Sequence, residues 1–271
     1  MKKLLLVLAL VVATPAHAIP STLFDQFVLL LQRHTGKAPA AAKGTGAKTA
    51  FRTCPQFFAG GVSPRIPDGQ RLALRALCYD AFAVLHSGVT KTPVIVAERL
   101  NKKQLDAARD EKRTNRFFAD ARLPMAERAQ LEDYRGSGFD RGHMAPAANM
   151  PTAQAMAQSF SLANMVPQAP VNNQRAWAGI EKATRKYVMR AQGDVYVITG
   201  PVFEPHANVI GPNRVHVPSY LYKLVYDATT NRAWAHWIAN TDQAHAGRPI
   251  SYEALVRRTG IEFLSGIQPD H

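Results

Sequence analysis

Beyond residue 18 the chain never strings together enough apolar residues to cross a bilayer; its apolar residues come in short bursts whose period changes along the sequence. That pattern calls for a globular core built from both strands and helices. Tyr79 to His86 and Thr92 to Leu100 read as strands joined by the turn signal Ser87-Gly88, and Val195 to Thr199, Tyr220 to Tyr226 and Ala233 to Ala239 also read as β, the last two split by the loop Asp227 to Asn231. Gln174 to Arg190 has helical spacing, and Tyr252 to Thr259 is a helix that Gly260 ends. The charged stretch from Asn101 to Asp120 reads as surface helix or loop, and Tyr134-Arg135-Gly136-Ser137-Gly138 supplies turn chemistry. With no internal repeat, residues 54–271 are expected to form one domain of the α/β (α+β) class, a mixed, largely antiparallel sheet with helices. A hydrophobic share of 46% excludes a disordered tail, a collagen-like fibre and a disulfide-dense mini-protein.

The amino-terminal segment reads differently. Lys2 and Lys3, an apolar run from Leu4 to Ala13 and the small-x-small Ala16-His17-Ala18 have the form of a secretory signal occupying residues 1–18, cleaved after Ala18. The expectation is an exported protein, periplasmic or secreted, with no membrane span. Ile19 follows the cut, which argues against a lipid anchor. Cys54 and Cys78 are the only cysteines, so a disulfide within the chain has one available pairing, worth roughly 3 kcal/mol on the chain-entropy model. Residues 19–53 divide into an amphipathic helix over 21–33, with Leu23, Phe27, Leu30 and Leu31 on one face, and a low-complexity linker from Gly36 to Ala50. The stretch from Gln26 to Pro67 holds no acid.

Net charge is +13, and loss of the two signal lysines leaves +11. A surface this basic attracts polyanions, and nucleic acid is the first partner to consider, with anionic envelope polymers as the plainer one.

Two segments carry chemistry. Asp140-Arg141-Gly142-His143 follows the glycine turn and presents an imidazole, the side chain best suited to proton exchange near neutral pH. Further on come Asn164-Met165-Val166-Pro167-Gln168 and Asn173-Gln174-Arg175-Ala176-Trp177, then Glu181. On a helix Asn173, Trp177, Glu181 and Arg185 form a stripe that lets an amide and a carboxylate face one site. Their hard oxygens suit Mg²⁺; equally, Asn173 could cap the helix and Glu181 pair with Arg185 on its surface. His206, His216, His236 and His245 lack zinc-ligand spacing, and neither a phosphate-cradling G-x-x-x-x-G-K nor a G-x-S-x-G elbow occurs. Trp177, Trp234 and Trp237 read as core residues before stacking platforms.

The order and spacing of three blocks, Tyr134 to Pro146, Asn164 to Gln168 and Asn173 to Glu181, resemble the DNA/RNA non-specific endonuclease family of the ββα-metal superfamily, with softer similarity from Cys54 to Gly266. The resemblance implies a ββα-metal nuclease site in which His143 is the general base, Asn173 the direct ligand of a hydrated Mg²⁺, for which Mn²⁺ substitutes, and Glu181 the holder of metal-bound waters. It implies a transition-state arginine at Arg116, with Arg113 near enough to leave the choice open, and orienting or phosphate-contacting places for Arg141, Asn164 and Arg185. The implied reaction is hydrolysis of DNA and RNA without strong sequence preference, leaving 5′-phosphate ends; a homodimer is left open. Rival readings are an exported nucleic-acid binder without cleavage and a phosphodiesterase for small or lipid substrates.

Overall fold

The computed structural model describes residues 51–67 and 69–270. The expected signal segment, amphipathic helix and linker lie outside the described residues. No helix among the described residues is long and apolar enough to cross a membrane.

The strands are β1 (Leu74–Cys78), β2 (Ala83–Ser87), β3 (Thr92–Leu100), β4 (Asp140–His143), β5 (Met165–Gln168), β6 (Val195–Val202), β7 (Val209–Ile210), β8 (Val215–His216), β9 (Tyr220–Asp227), β10 (Arg232–Ala239) and β11 (Ile250–Ser251). The α-helices are α1 (Lys102–Ala107), α2 (Leu131–Tyr134), α3 (Ala153–Ser159), α4 (Ala178–Val188) and α5 (Tyr252–Thr259). Seven strands form one sheet in the order β1-β2-β3-β6-β9-β10-β11, every neighbour antiparallel.

Both faces of this sheet are covered, which is why its central strands are apolar on both sides. Val84, Val96 and Leu221 pack with Met144, Phe160, Trp177 and Ile180 on the face toward β4 and α4. Ala83, Leu85, Ile95, Tyr222 and Leu224 pack on the opposite face with Phe57, Phe58, Leu255 and Phe263. The Cys54–Cys78 disulfide, Cα atoms 5.9 Å apart, ties the segment before β1 to the end of that strand.

The hairpin expected over 79–100 begins later than its apolar pattern suggests. Tyr79 to Phe82 forms a turn, closed by the Tyr79 N–H donating to the Phe82 carbonyl at 2.9 Å, and its aromatics serve the core from there. The strand preceding it, β1, was not expected: Leu-Arg-Ala-Leu-Cys is a short edge strand, and alternation over five residues is a weak signal. In the charged 101–120 stretch α1 forms where the Asn101 side chain accepts from the Gln104 N–H at 3.0 Å.

Candidate active site

Gly136 and Gly138 take φ of 65° and 80°, a region side chains resist, and turn the chain into β4. Strand β4 is the Asp140-Arg141-Gly142-His143 block itself, paired antiparallel with β5 so that His143 stands opposite Met165 and Gly142 opposite Val166. Gly142 is required by close approach, since a Cβ there would lie 2.6 Å from the Gln168 Cβ. Gln168 donates to Asn172 Oδ1 at 2.7 Å, and Asn172 donates to the Ala239 carbonyl at 2.7 Å, so the strand pair is pinned to the next turn and to β10.

That next turn departs from the expected helix over 174–190. Asn172–Trp177 is a π-helical turn that runs into α4, an irregularity that accompanies functional sites more often than plain helix. Two short strands and this helix form a ββα unit. Asn173 is not a helix cap: its Nδ2 donates to Asp140 Oδ2 at 2.8 Å, and Gln174 Nε2 donates to the same oxygen at 2.9 Å. With Nδ2 spent on Asp140, Oδ1 of Asn173 is the atom left for a cation. Asp140, which sequence reasoning did not single out, anchors both side-chain amides.

His143 is 8% exposed and sits in an aromatic box, edge-on to Phe160 with centroids 5.0 Å apart and tilted against Phe117 at 5.8 Å. Its Nε2 is buried without a hydrogen-bond partner. Burial first, and the Arg113 charge second, push the imidazole down to about 3, so it is neutral over the physiological range.

The two candidate arginines separate. The Arg113 guanidinium lies 5.0 Å above the Phe160 ring that packs on His143, and its charge acts on both His143 and Glu181. Both arginines are exposed; what distinguishes them is that the charge of Arg113, and not that of Arg116, acts on His143 and Glu181. The Arg141 guanidinium covers the Phe117 ring at 4.3 Å, the outer wall of the same box.

Asn164 is fully buried, and its amide is spent on backbone. It accepts from the Ala145 N–H at 2.9 Å and donates to the carbonyls of Ala145 and Ser159, each at 2.9 Å. Of the orienting or phosphate-contacting places expected for Asn164, these bonds suit the orienting one, since they hold the chain just after His143.

Burial pushes the Glu181 carboxyl up, while Lys223, Arg185 and Arg113 hold it down, helped by the Trp177 indole N–H, which does not reach full hydrogen-bond geometry. One terminal nitrogen of Arg185 is buried without a partner. Beside these residues a cleft of about 870 Å³ runs along α4, lined by Arg109, Arg113, Lys182, Arg185, Lys186 and Arg190.

The donor set tests the implied metal. No cluster of three or more His, Cys, Asp or Glu exists among the described residues, so nothing there builds an all-protein cage. Asn173 Oδ1 and the Glu181 carboxylate are hard oxygens of the kind that hold a largely hydrated Mg²⁺, and they fit it.

Comparison with known proteins places this geometry. A family model described as DNA/RNA non-specific endonuclease matches residues 65–270. The chain is 34% identical over 255 residues to "Nuclease EXOG, mitochondrial" of Homo sapiens, covering 84% of this chain and 68% of that protein. It is 39% identical over 209 residues to "Endonuclease G, mitochondrial" of Homo sapiens, covering 70% and 67%. It is 33% identical over 240 residues to the "Mitochondrial nuclease" of Saccharomyces cerevisiae, covering 79% and 70%. A solved structure of EndoG in complex with EndoGI superposes with a TM-score of 0.67 at 24% identity, over 83% of this chain and 95% of that one. The expectation of export to the periplasm or medium is overturned here, because these relatives are mitochondrial nucleases.

Proposed function

Because the chain belongs to the DNA/RNA non-specific endonuclease family, whose members act on nucleic acid, we propose that it is a Mg²⁺-dependent endonuclease cleaving DNA and RNA with little regard for sequence, within a domain spanning 54–271. The observation that carries this reading is His143, a neutral imidazole with a buried, unpartnered Nε2, set in one ββα unit with Asn173 and Glu181.

His143 takes the proton of the attacking water. An anionic phosphate drawn to Arg113 offsets that guanidinium's repulsion, the smaller of the two causes of the low basicity, and its own charge favours the protonated imidazole. Arg113, rather than Arg116, stabilises the charge that builds on the phosphate. Asn173 Oδ1, its amide aimed by Asp140, would hold the metal directly, and Glu181 would hold the waters around it. A Mg²⁺ held by these two residues would supply positive charge to the scissile phosphate and a more acidic water, the chemistry that cleavage to 5′-phosphate ends calls for. Arg141 and Arg185 steady the flanking phosphates, while Asn164 fixes the chain behind His143. The basic cleft binds through phosphates, which carries no sequence information.

Incubating the purified protein with plasmid, single-stranded DNA and RNA, with Mg²⁺, with Mn²⁺ or with chelator, tests the reading. Cleavage of all three with either metal, abolished by chelator and leaving 5′-phosphates, is expected. Intact long duplex alongside hydrolysis of a small phosphodiester would replace the reading with that of a small-substrate phosphodiesterase.

A further inference from the structure

Three adjacent strands put polar side chains on the sheet face that meets the ββα unit. Glu98 on β3 is paired across from Val197 on β6, and Thr199 on β6 is paired directly with Lys223 on β9. All three polar residues are buried, Lys223 at 1% exposure. A lysine at the centre of Tyr-Leu-Tyr-Lys-Leu-Val-Tyr breaks an otherwise apolar and aromatic strand, and burying its ammonium costs free energy unless it is bonded and paired.

Its contacts lead to the site. Lys223 Nζ donates to Thr199 Oγ1 at 2.7 Å and to the carbonyl of Met144, the residue after His143, at 3.5 Å. The same nitrogen lies 5.1 Å from the Trp177 ring centroid, and Trp177 stands one turn before Glu181 and one turn after Asn173. Two carboxylates answer its charge. They are Glu98, which accepts from Asn149 Nδ2 at 2.9 Å, and Glu181. Burial pushes the Lys223 ammonium down, and these two acids push it back up.

We propose that Lys223 is a positioning residue for phosphodiester cleavage: it fastens the backbone behind His143 to the helical turn between Asn173 and Glu181, and sets a fixed positive charge beneath Trp177 and the Glu181 carboxylate. This rests on the reading of His143, Asn173 and Glu181 as the reacting centre. A lysine serving only to neutralise Glu98 would affect folding and leave the turnover of folded molecules alone.

Lys223→Met keeps the length of the stem and removes the charge; Thr199→Val removes the shortest bond of the ammonium with little change of shape. Both are compared with wild type and His143→Ala in the full chain by plasmid cleavage, by calorimetric Mg²⁺ titration of the protein alone, and by thermal unfolding. Lys223→Met is expected to lower kcat and weaken Mg²⁺ binding by about 10- to 100-fold each, the range for removing a supporting partner, with KM little changed. Thr199→Val should move both in the same direction by a smaller factor. Wild-type kcat and Mg²⁺ isotherm in either folded variant, beside an inactive His143→Ala, overturns the proposal and leaves the site reading intact. A lowered melting temperature with unchanged kcat per folded molecule also overturns it. If Lys223→Met does not fold, Thr199→Val decides alone. A fully active His143→Ala instead defeats the site reading, and this proposal with it.

Discussion

Two buried polar clusters in this molecule are built to opposite rules. Around Asp120 the carboxylate is fully answered: Tyr79 donates to it at 2.6 Å, Arg122 grips both oxygens at 2.9 and 2.6 Å and its own N–H adds a third bond at 3.0 Å, while the guanidinium covers the Tyr79 ring at 4.4 Å. Around His143 the answers are missing, with unpartnered buried atoms on His143, Asn149, Gln168 and Arg185. Leaving a buried polar atom unbonded costs about 1–3 kcal/mol, so a fold that gathers several in one place gives up stability there. The first cluster holds loops to the sheet. The second keeps its bonding capacity for something that arrives later.

The sharpest way to break this contrast is to remove one member of each cluster. His143→Ala should lower kcat by at least about a hundredfold, the scale of a lost general base, with DNA affinity nearly unchanged and no loss of melting temperature. Asp120→Asn should do the reverse, costing about 2 kcal/mol of stability through its charge-assisted bonds while kcat stays near wild type. Steady-state kinetics beside thermal unfolding reads both. A destabilised His143→Ala with ordinary turnover would erase the distinction.

Next in size is the split within the site. Asn173→Ala should lose more activity and Mg²⁺ affinity than Glu181→Ala, because one is assigned as a direct ligand and the other as acting through water, where losses of about 10- to 100-fold are usual. A Mg²⁺ titration of both variants checks the order. Equal losses would mean that both carry the ion directly.

Acid titration of stability sharpens the same contrast. Arg122 and Tyr79 outweigh burial and hold the Asp120 carboxyl at about 2, below its ordinary 3.8. The stabilisation it gives is present above the ordinary value and is lost as pH falls through 2. His143, held at about 3 against an ordinary 6.5, stays uncharged while the unfolded chain takes up a proton, so its share is lost from about 6.5 downward to about 3. Asp120→Asn should flatten the stability curve only at the acid end, and His143→Ala only in the higher window. A flattening by Asp120→Asn that extends up to about pH 6, where only the His143 window is expected, would show that the two clusters are not electrically separate.

How much of this was legible beforehand follows from where each signal lives. Strands β3, β9 and β10, helix α5 with its Gly260 stop, and the Cys54–Cys78 pairing were readable because local pattern and elimination determine them. The glycine turn and the block after it announced the site because Gly142 has to be small against Gln168. The π turn was not readable, since its wider winding depends on Asn172 and Asn173 finding partners on β5, β10 and β4. The choice between Arg113 and Arg116 depends on a Phe160 that is distant in sequence. Glu98 and Lys223 were overlooked, although a charge at the centre of an apolar strand is itself a signal.

The smallest expected effect separates the two regions by their exposed charges. Lys186 lines the cleft along α4 among other cations, whereas Arg75, at the opposite functional extreme, donates twice to Glu127 at 2.8 Å and is neutralised by it. A cation that contacts a phosphate releases counterions when duplex binds, and each such contact contributes about −0.9 to the slope of log affinity against log salt. With His143→Ala as the non-cleaving background, Lys186→Ala should therefore make that slope shallower by about one contact and weaken binding to every sequence alike. Arg75→Ala should leave the slope where it was, because its charge is already answered within the protein. Affinities measured on two unrelated duplexes across a salt series decide the matter. An unchanged slope for Lys186→Ala would move the nucleic-acid path off the cleft, and a loss confined to one sequence would mean that this face reads bases.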